Sequence, residues 1–168
     1  MQPRAETVII AASFEQAGIL FDTALAYGAG RVTGMHYRIL NSQNRKLIEH
    51  LPSGARLRVM SSDPKRAHGI APALILADEP AQWPTGTGEQ MVAALRTSRG
   101  KIAGSRFIAL GTRPGQGHHW FARLLRAPGE TAYCQVHAAT DLEDANDREQ
   151  WLLANPCLLY TSPSPRDS

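Results

Sequence analysis

Residues 7–13, TVIIAAS, run apolar and β-branched without alternation. A strand covered on one face alternates, so this one is expected to be buried on both. FEQAGILFDTALAYG follows, with Phe14, Ala17, Leu20, Phe21, Ala24 and Leu25 at helical spacing, Ser13 placed to cap it and Gly28 to stop it. YRILN and KLIEHLPSGARLRVMSS predict short strands, the latter two joined by a Pro-Ser-Gly turn. Further on, ALILAD and SRFIALGT predict buried strands, with GEQMVAALRTS as a helix between them. HHWFARLLRAPG predicts a helix stopped by Pro128-Gly129, TAYCQVHAA a strand, and DANDREQWLLANP a helix ending near Pro156. Strands alternating with helices predict an α/β layered fold whose sheet is mostly parallel. No internal repeat is visible.

A chain of 168 residues can build one domain with a real core, and 43% hydrophobic with 20% charged residues is ordinary for a globular protein. The net charge of +3 is mild, and the sequence pI of about 9.1 permits contact with nucleic acid without demanding it. Basic residues are scattered, and TDLEDANDRE is acidic, so a uniformly DNA-coating surface is not indicated. The two cysteines, Cys134 and Cys157, form no CxxC pair, which argues against a disulfide framework or zinc site. No secretory pattern opens the chain, and no apolar run approaches the roughly 18 residues of a membrane span. Residues 157–168, CLLYTSPSPRDS, carry Pro163 and Pro165 without periodicity and are expected to be a disordered, non-native tail. Residues 157–167 back-translate onto the read-through of a transposase-type sequencing adapter, so the tail is expected to be a library artefact.

LILADEPAQWP sets two acids, Asp78 and Glu79, directly after four apolar residues. This is the Walker B pattern of P-loop nucleoside triphosphatases. In an open α/β sheet, ligands bind beyond the carboxyl ends of the strands. An Asp fixed there can hold Mg²⁺, and the next acid can orient and deprotonate the water that attacks the γ-phosphate. A buried strand that simply ends in a solvated loop would show the same two letters. One strand later, FIALGTRPG places Gly111 and Thr112 at a second strand end. If the strands are adjacent and parallel, Thr112 lies beside Glu79, where it could sense the γ-phosphate or its water; an ordinary Gly/Pro turn is the alternative.

Taken in order, VIIAASFEQAGILF, then ILNSQNRKLIEHLPSGARLRVMSSDPKRAHGIAPALILADEPAQW, then FIALGTRPG and WLLANP resemble the ATPase domain of the large terminase subunit of tailed bacteriophages. The matching stretches cover most of residues 7–156. The resemblance implies a partial P-loop NTPase fold of the ASCE type, with helices on both faces of a mostly parallel sheet over residues 1–156. It implies an ATPase using ATP and Mg²⁺ that drives double-stranded DNA into proheads, with Asp78 and Glu79 as the Walker B pair. Asp78 would then bind the nucleotide's metal, Glu79 would serve as catalytic base, and Thr112 would lie in the motif coupling hydrolysis to DNA movement. Also implied are a portal and a small terminase subunit as partners, a homo-oligomeric ring, and the cytoplasm of the infected bacterium as location.

Two departures accompany the resemblance. No G-x-x-x-x-G-K-[ST] phosphate loop occurs: Gly86-Thr87-Gly88-Glu89 lacks the lysine, and Gly100-Lys101 precedes isoleucine. The loop is expected upstream of Met1 and a nuclease domain downstream, so residues 1–168 alone are expected to be inactive. The position of a trans-acting arginine, immediately before the glycine preceding the Walker B strand, holds His68; Arg66, two residues earlier, is the candidate replacement. His118 and His119 lack a third ligand at metal spacing and are expected to be solvated at a helix start. Trp120, Phe121, Leu124 and Leu125 are expected on a helix's core face. Arg56, Arg58, Lys65 and Arg66 form the densest basic cluster, a solvated face before a DNA contact. The same residues also fit another P-loop motor such as a DExx-box helicase, or a non-catalytic α/β binding domain.

Overall fold

The computed structural model describes residues 5–28, 36–67, 70–84, 86–99, 102–115, 117, 119–127, 132–138 and 147–154, except for the side chains of Arg66, Arg96, Ser98 and Arg99. The chain divides into two units, Met1–Arg126 and Ala127–Ser168. In the first, β1 (Glu6–Ala11), β2 (Tyr37–Ser42), β3 (Arg45–His50), β4 (Ala55–Ser61), β5 (Leu74–Asp78) and β6 (Arg106–Leu110) form one sheet in the order β2-β3-β4-β1-β5-β6. β1 pairs parallel with β4 and β5, and β5 pairs parallel with β6, whereas β2-β3 and β3-β4 are antiparallel. The mostly parallel sheet agrees with the sequence pattern.

β1 shows why its letters do not alternate. Val8 and Ile10 are buried in one core, Ile9 and Ala11 in another. α1 (Phe14–Gly28) covers the Ile9 face through Ala17 and Phe21. The Val8 face is filled by Met91, Val92 and Leu95 of α2 (Thr87–Arg99) and by Trp120 and Phe121 of α3 (Trp120–Arg126). Helices therefore flank both faces, each burying one set of a period-2 strand.

Local chemistry fixes the element ends. Ser13 and Gln16 form a reciprocal capping box: Gln16 N–H donates to Ser13 Oγ at 3.2 Å and Ser13 N–H to Gln16 Oε1 at 3.3 Å. The turn between β3 and β4 ends at Gly54, whose φ of 67° suits glycine. Lys46 of β3 reaches across α1 at Gly18 and places its ammonium 2.8 and 2.9 Å from the two Asp22 carboxylate oxygens. That contact pins the β2-β3 hairpin to α1. Two residues of the basic cluster, Arg56 and Arg58, are already engaged: Glu49 lies beneath Arg56 and the neighbouring Arg38, and Arg58 pairs with Glu6. The Arg56 hydrogen bond is the main influence holding the Glu49 carboxyl below its ordinary range. That contribution is present above the ordinary glutamate range and is lost as pH falls through the lowered value.

The structure departs from the pattern at three places. β6, expected to be buried, is an edge strand among the described residues, with Ile108 42% and Leu110 65% exposed. Their partners in register are Leu76 and Asp78, which puts them on the α1 side of the sheet, where α1 covers β1 and β4. Residues 132–138, expected as a strand, have no regular secondary structure. His119, expected to be solvated, is buried. In the second unit α4 (Arg148–Ala154) forms as expected, and the Asp147 carboxylate accepts the N–H groups of Glu149 at 2.9 Å and Gln150 at 3.3 Å. His68, His118 and the tail at 157–168 lie outside the described residues.

Candidate functional site

The carboxyl ends of β1, β4, β5 and β6 lie along one side of the sheet because these strands run parallel. Asp78 is the last residue of β5 and pairs in register with Leu110 of β6, so the residues that follow each strand emerge side by side. Here the structure joins Glu79 and Thr112. Thr112 donates its backbone N–H to Glu79 Oε2 at 3.0 Å and its hydroxyl to the same oxygen at 2.9 Å. These are charge-assisted hydrogen bonds that fix one orientation of the carboxylate.

The backbone of Glu79 is equally constrained. It is the one non-glycine with positive φ among the described residues, at φ 42° and ψ 58°. A side chain in this left-handed region costs about 1–3 kcal/mol and needs surrounding structure to hold it. Pro80 disfavours the right-handed helical region for the residue before it. Glu79 N–H donates to Leu110 O at 2.8 Å, and Glu79 O accepts Gln82 N–H at 2.9 Å, closing the 3₁₀ turn Pro80–Gln82. Such outliers concentrate where a side chain must be aimed.

Trp83, which the sequence did not single out, and Gly111, read there only as a strand-end glycine, hold this arrangement. Trp83 is 2% exposed, and its indole N–H donates to the Asp78 carbonyl at 2.9 Å. Gly111 brings β6 against the turn: a Cβ there would lie 2.9 Å from Glu79 Cα, 3.0 Å from Glu79 Oε2 and 3.1 Å from Pro80 Cδ. The Glu79 backbone and the proline ring cannot swing aside as a flexible side chain would. Gly111→Ala should therefore destabilise the chain by about 1–3 kcal/mol, the range for overpacking. The measurement is the denaturant midpoint at unchanged m-value, and a midpoint equal to the parent's would refute the close approach.

Asp78 supplies the second carboxylate. Burial, and next the charge of Glu79, push its pKa above the ordinary aspartate value. Among the described residues no hydrogen bond to its side chain relieves that cost. A partly desolvated carboxylate beside another suits a hard divalent cation, which would favour the ionised form, and Asp78 is the residue that could hold one. Arg66 lies in the 3₁₀ turn Pro64–Ala67, its side chain outside the described residues. Asp78, Glu79 and Thr112 are thus assembled, and nothing described brings Arg66 to them.

No family model matches the chain. A search of curated proteins matches it to the large terminase subunit of Enterobacteria phage HK97, 26% identical over 157 residues, covering 88% of this chain and 30% of that protein. The crystal structure of the HK97 large terminase superposes with a TM-score of 0.74 at 25% identity, covering 97% of this chain and 34% of that one. The ATPase domain of the Thermus phage P74-26 large terminase shares the fold, with a TM-score of 0.53 at 20% identity over 74% of this chain and 53% of that one. The chain spans about a third of the length of the HK97 protein it matches. In sequence and in fold, the chain is similar to the large terminase subunit of phage HK97.

Proposed function

We propose that residues 1–156 are the Walker B and coupling part of a DNA-packaging ATPase, completed by a phosphate loop and a nuclease domain outside this sequence. The observation that carries the proposal is the Glu79 carboxylate at the end of β5, held by the backbone and hydroxyl of Thr112 at the end of the neighbouring strand. In this reading Asp78 holds the Mg²⁺ of ATP–Mg²⁺, and the bound ion neutralises charge on the phosphates. Glu79 accepts the proton of the attacking water. Thr112 shares hydrogen bonds with that carboxylate, so any change in the Glu79 side chain is felt at the loop after β6.

That loop is where hydrolysis would be passed on to the movement of double-stranded DNA into proheads. A homo-oligomeric ring, a portal, a small terminase subunit and the cytoplasm of the infected bacterium complete the proposal, with Arg66 as the candidate trans-acting arginine. They rest on the similarity to the HK97 large terminase. Among the described residues no helix is long and apolar enough to cross a membrane.

The test is Mg²⁺-dependent nucleotide binding in a polypeptide that joins residues 1–156 to a phosphate loop. Asp78→Ala should weaken ATP binding in the presence of Mg²⁺ by about tenfold or more and leave binding in EDTA nearly unchanged, since the metal contact alone is removed. Equal affinities of parent and variant in Mg²⁺ would remove Asp78 from the site. A parent with no nucleotide binding at all would overturn the proposed function.

A further inference from the structure

The sheet face that carries Val8 and Ile10 changes character toward its β2 edge. Over β1 and β5 it is apolar and meets α2 and α3. Register continues the same face through Arg56 and Arg58 of β4, Arg45 and Glu49 of β3, and Arg38 of β2. Four guanidiniums are set there against two carboxylates, Glu49 and, on β1, Glu6. Lys65, grouped with Arg56 and Arg58 in the sequence, does not belong to this face patch. It follows the carboxyl end of β4, whereas Arg56 lies near the start of that strand.

The buried acid sits beneath the arginines. Glu49 is 6% exposed and accepts Arg56 Nε at 2.8 Å on one oxygen, while Arg38 pairs with the other. The side chains of Arg38 and Arg56 stay 52% and 39% exposed. A guanidinium has five donors, so a bond to Glu49 fixes its plane and leaves the others available. Arg58 pairs with Glu6, and Arg45, exposed beside the β2-β3 turn, makes no ion pair among the described residues. An approaching anion therefore meets oriented guanidiniums before it meets Glu49. From β2 to β4 the patch is about 10 Å wide, and from Arg45 to Glu49 about 14 Å long, at ordinary strand dimensions. Along a duplex, that length spans about four phosphates of one strand at roughly 3.4 Å of axial rise each.

We propose that this arginine face of β2, β3 and β4 contacts the phosphate backbone of double-stranded DNA without regard to sequence. Arginine forks match phosphate oxygens bidentately. The remaining side chains between them are Leu40, Ser42 and Leu47, so the patch offers no ring on which an unpaired base could stack. Tyr37 and His50 pack against each other on the opposite face. Duplex DNA as the occupant rests on the proposed function; the surface rests on the register and the ion pairs. Asp78 ends β5, which β1 separates from β4, so DNA on this face leaves the carboxylate site open.

The test titrates a labelled, mixed-sequence DNA duplex with the 168-residue chain and reads anisotropy at several salt concentrations. Binding in the non-specific range, a Kd of about 10⁻⁴–10⁻⁶ M, is expected, with a log–log salt slope of about −2 to −4. Arg38→Ala and Arg45→Ala should each weaken it severalfold and flatten the slope by about 0.9, one phosphate contact. Arg106→Ala removes the same charge from the α1 side of the sheet at β6 and should change neither. Arg45→Ala breaks no ion pair among the described residues, so its result stands even where Arg38→Ala, which leaves Glu49 one partner short, loosens the hairpin. Equal losses in all three variants would reduce the effect to net charge and overturn the face. So would no binding at the lowest salt, unchanged slopes in Arg38→Ala and Arg45→Ala, or a single strand of equal length binding more tightly than the duplex. A peptide of residues 140–149, TDLEDANDRE, forms the second arm. If the peptide gives the Arg45-dependent response and the duplex does not, the face is a contact between copies of the chain and the DNA assignment falls. No nucleotide enters this measurement, so its failure and a failure of the Asp78 test are read separately.

Discussion

Glu79→Gln should cut ATP hydrolysis by about a hundredfold or more, the range of a lost general base, while ATP binding stays close to that of the parent. The measurement again uses a polypeptide carrying a phosphate loop; residues 1–168 alone should show no hydrolysis above background, since their sequence has no G-x-x-x-x-G-K-[ST] loop to cradle the β- and γ-phosphates. Glutamine is chosen because it preserves the geometry. Its amide oxygen can still accept the Thr112 N–H and hydroxyl that reach Glu79 Oε2 at 3.0 and 2.9 Å. Its backbone can still occupy the left-handed conformation between Asp78 and Pro80. What disappears is the negative charge and the ability to take a proton. A hundredfold fall is about 2.7 kcal/mol of barrier, too large for a slight repositioning of a retained side chain. Equal losses of binding and turnover would show that Glu79 holds the nucleotide and does not activate water. Hydrolysis near the parental rate would assign the base elsewhere, and turnover by residues 1–168 themselves would reveal an unrecognised phosphate site.

The legible part of the molecule is the part written locally. β1 could be read as buried on two faces because its letters carry no polar face to expose, and α1 because its stripe, cap and stop all lie within about sixteen residues. Asp78 and Glu79 were legible because a strand end followed by acids is a local pattern, and Thr112 because it ends the next apolar strand. β6 is where this failed. Its composition is as apolar as that of β5, but composition does not say what covers each face, and Ile108 and Leu110 are left exposed at an edge. Residues 132–138 fail for a related reason: alternation can mark a strand, but a strand exists only through a partner elsewhere in the chain. The left-handed Glu79, the bare Gly111 and the buried His119 depend on contacts across the fold. The Thr112 bond to Glu79 spans 33 residues, and no window of sequence displays it.

Trp83 shows how much of the site rests on such a contact, and its removal should have the largest effect on stability. Trp83→Ala should destabilise the chain by about 3–5 kcal/mol, the range for emptying a large aromatic site in a core. The side chain is among the largest that are fully buried, and its ring lies 5.8 Å from that of Trp120, tilted by 44°. Against a total of about 5–15 kcal/mol for a domain, a loss of this size should lower the thermal midpoint by about 10 °C or more. Trp83→Phe separates packing from hydrogen bonding. Phenylalanine keeps most of the apolar contact with Trp120 but cannot donate to the Asp78 carbonyl, leaving a partly buried acceptor without its 2.9 Å partner. That variant should lose about 1–3 kcal/mol and remain cooperatively folded. Because the lost bond anchors the residue proposed to hold Mg²⁺, it should also weaken Mg²⁺-dependent nucleotide binding in the longer polypeptide more than binding in EDTA. Denaturation followed by far-UV circular dichroism gives the first two numbers. A Trp83→Ala chain as stable as its parent would mean that the indole does not fill this core. A Trp83→Phe chain as unstable as Trp83→Ala would mean that the hydrogen bond to Asp78, rather than the buried ring, carries the stability of the strand end.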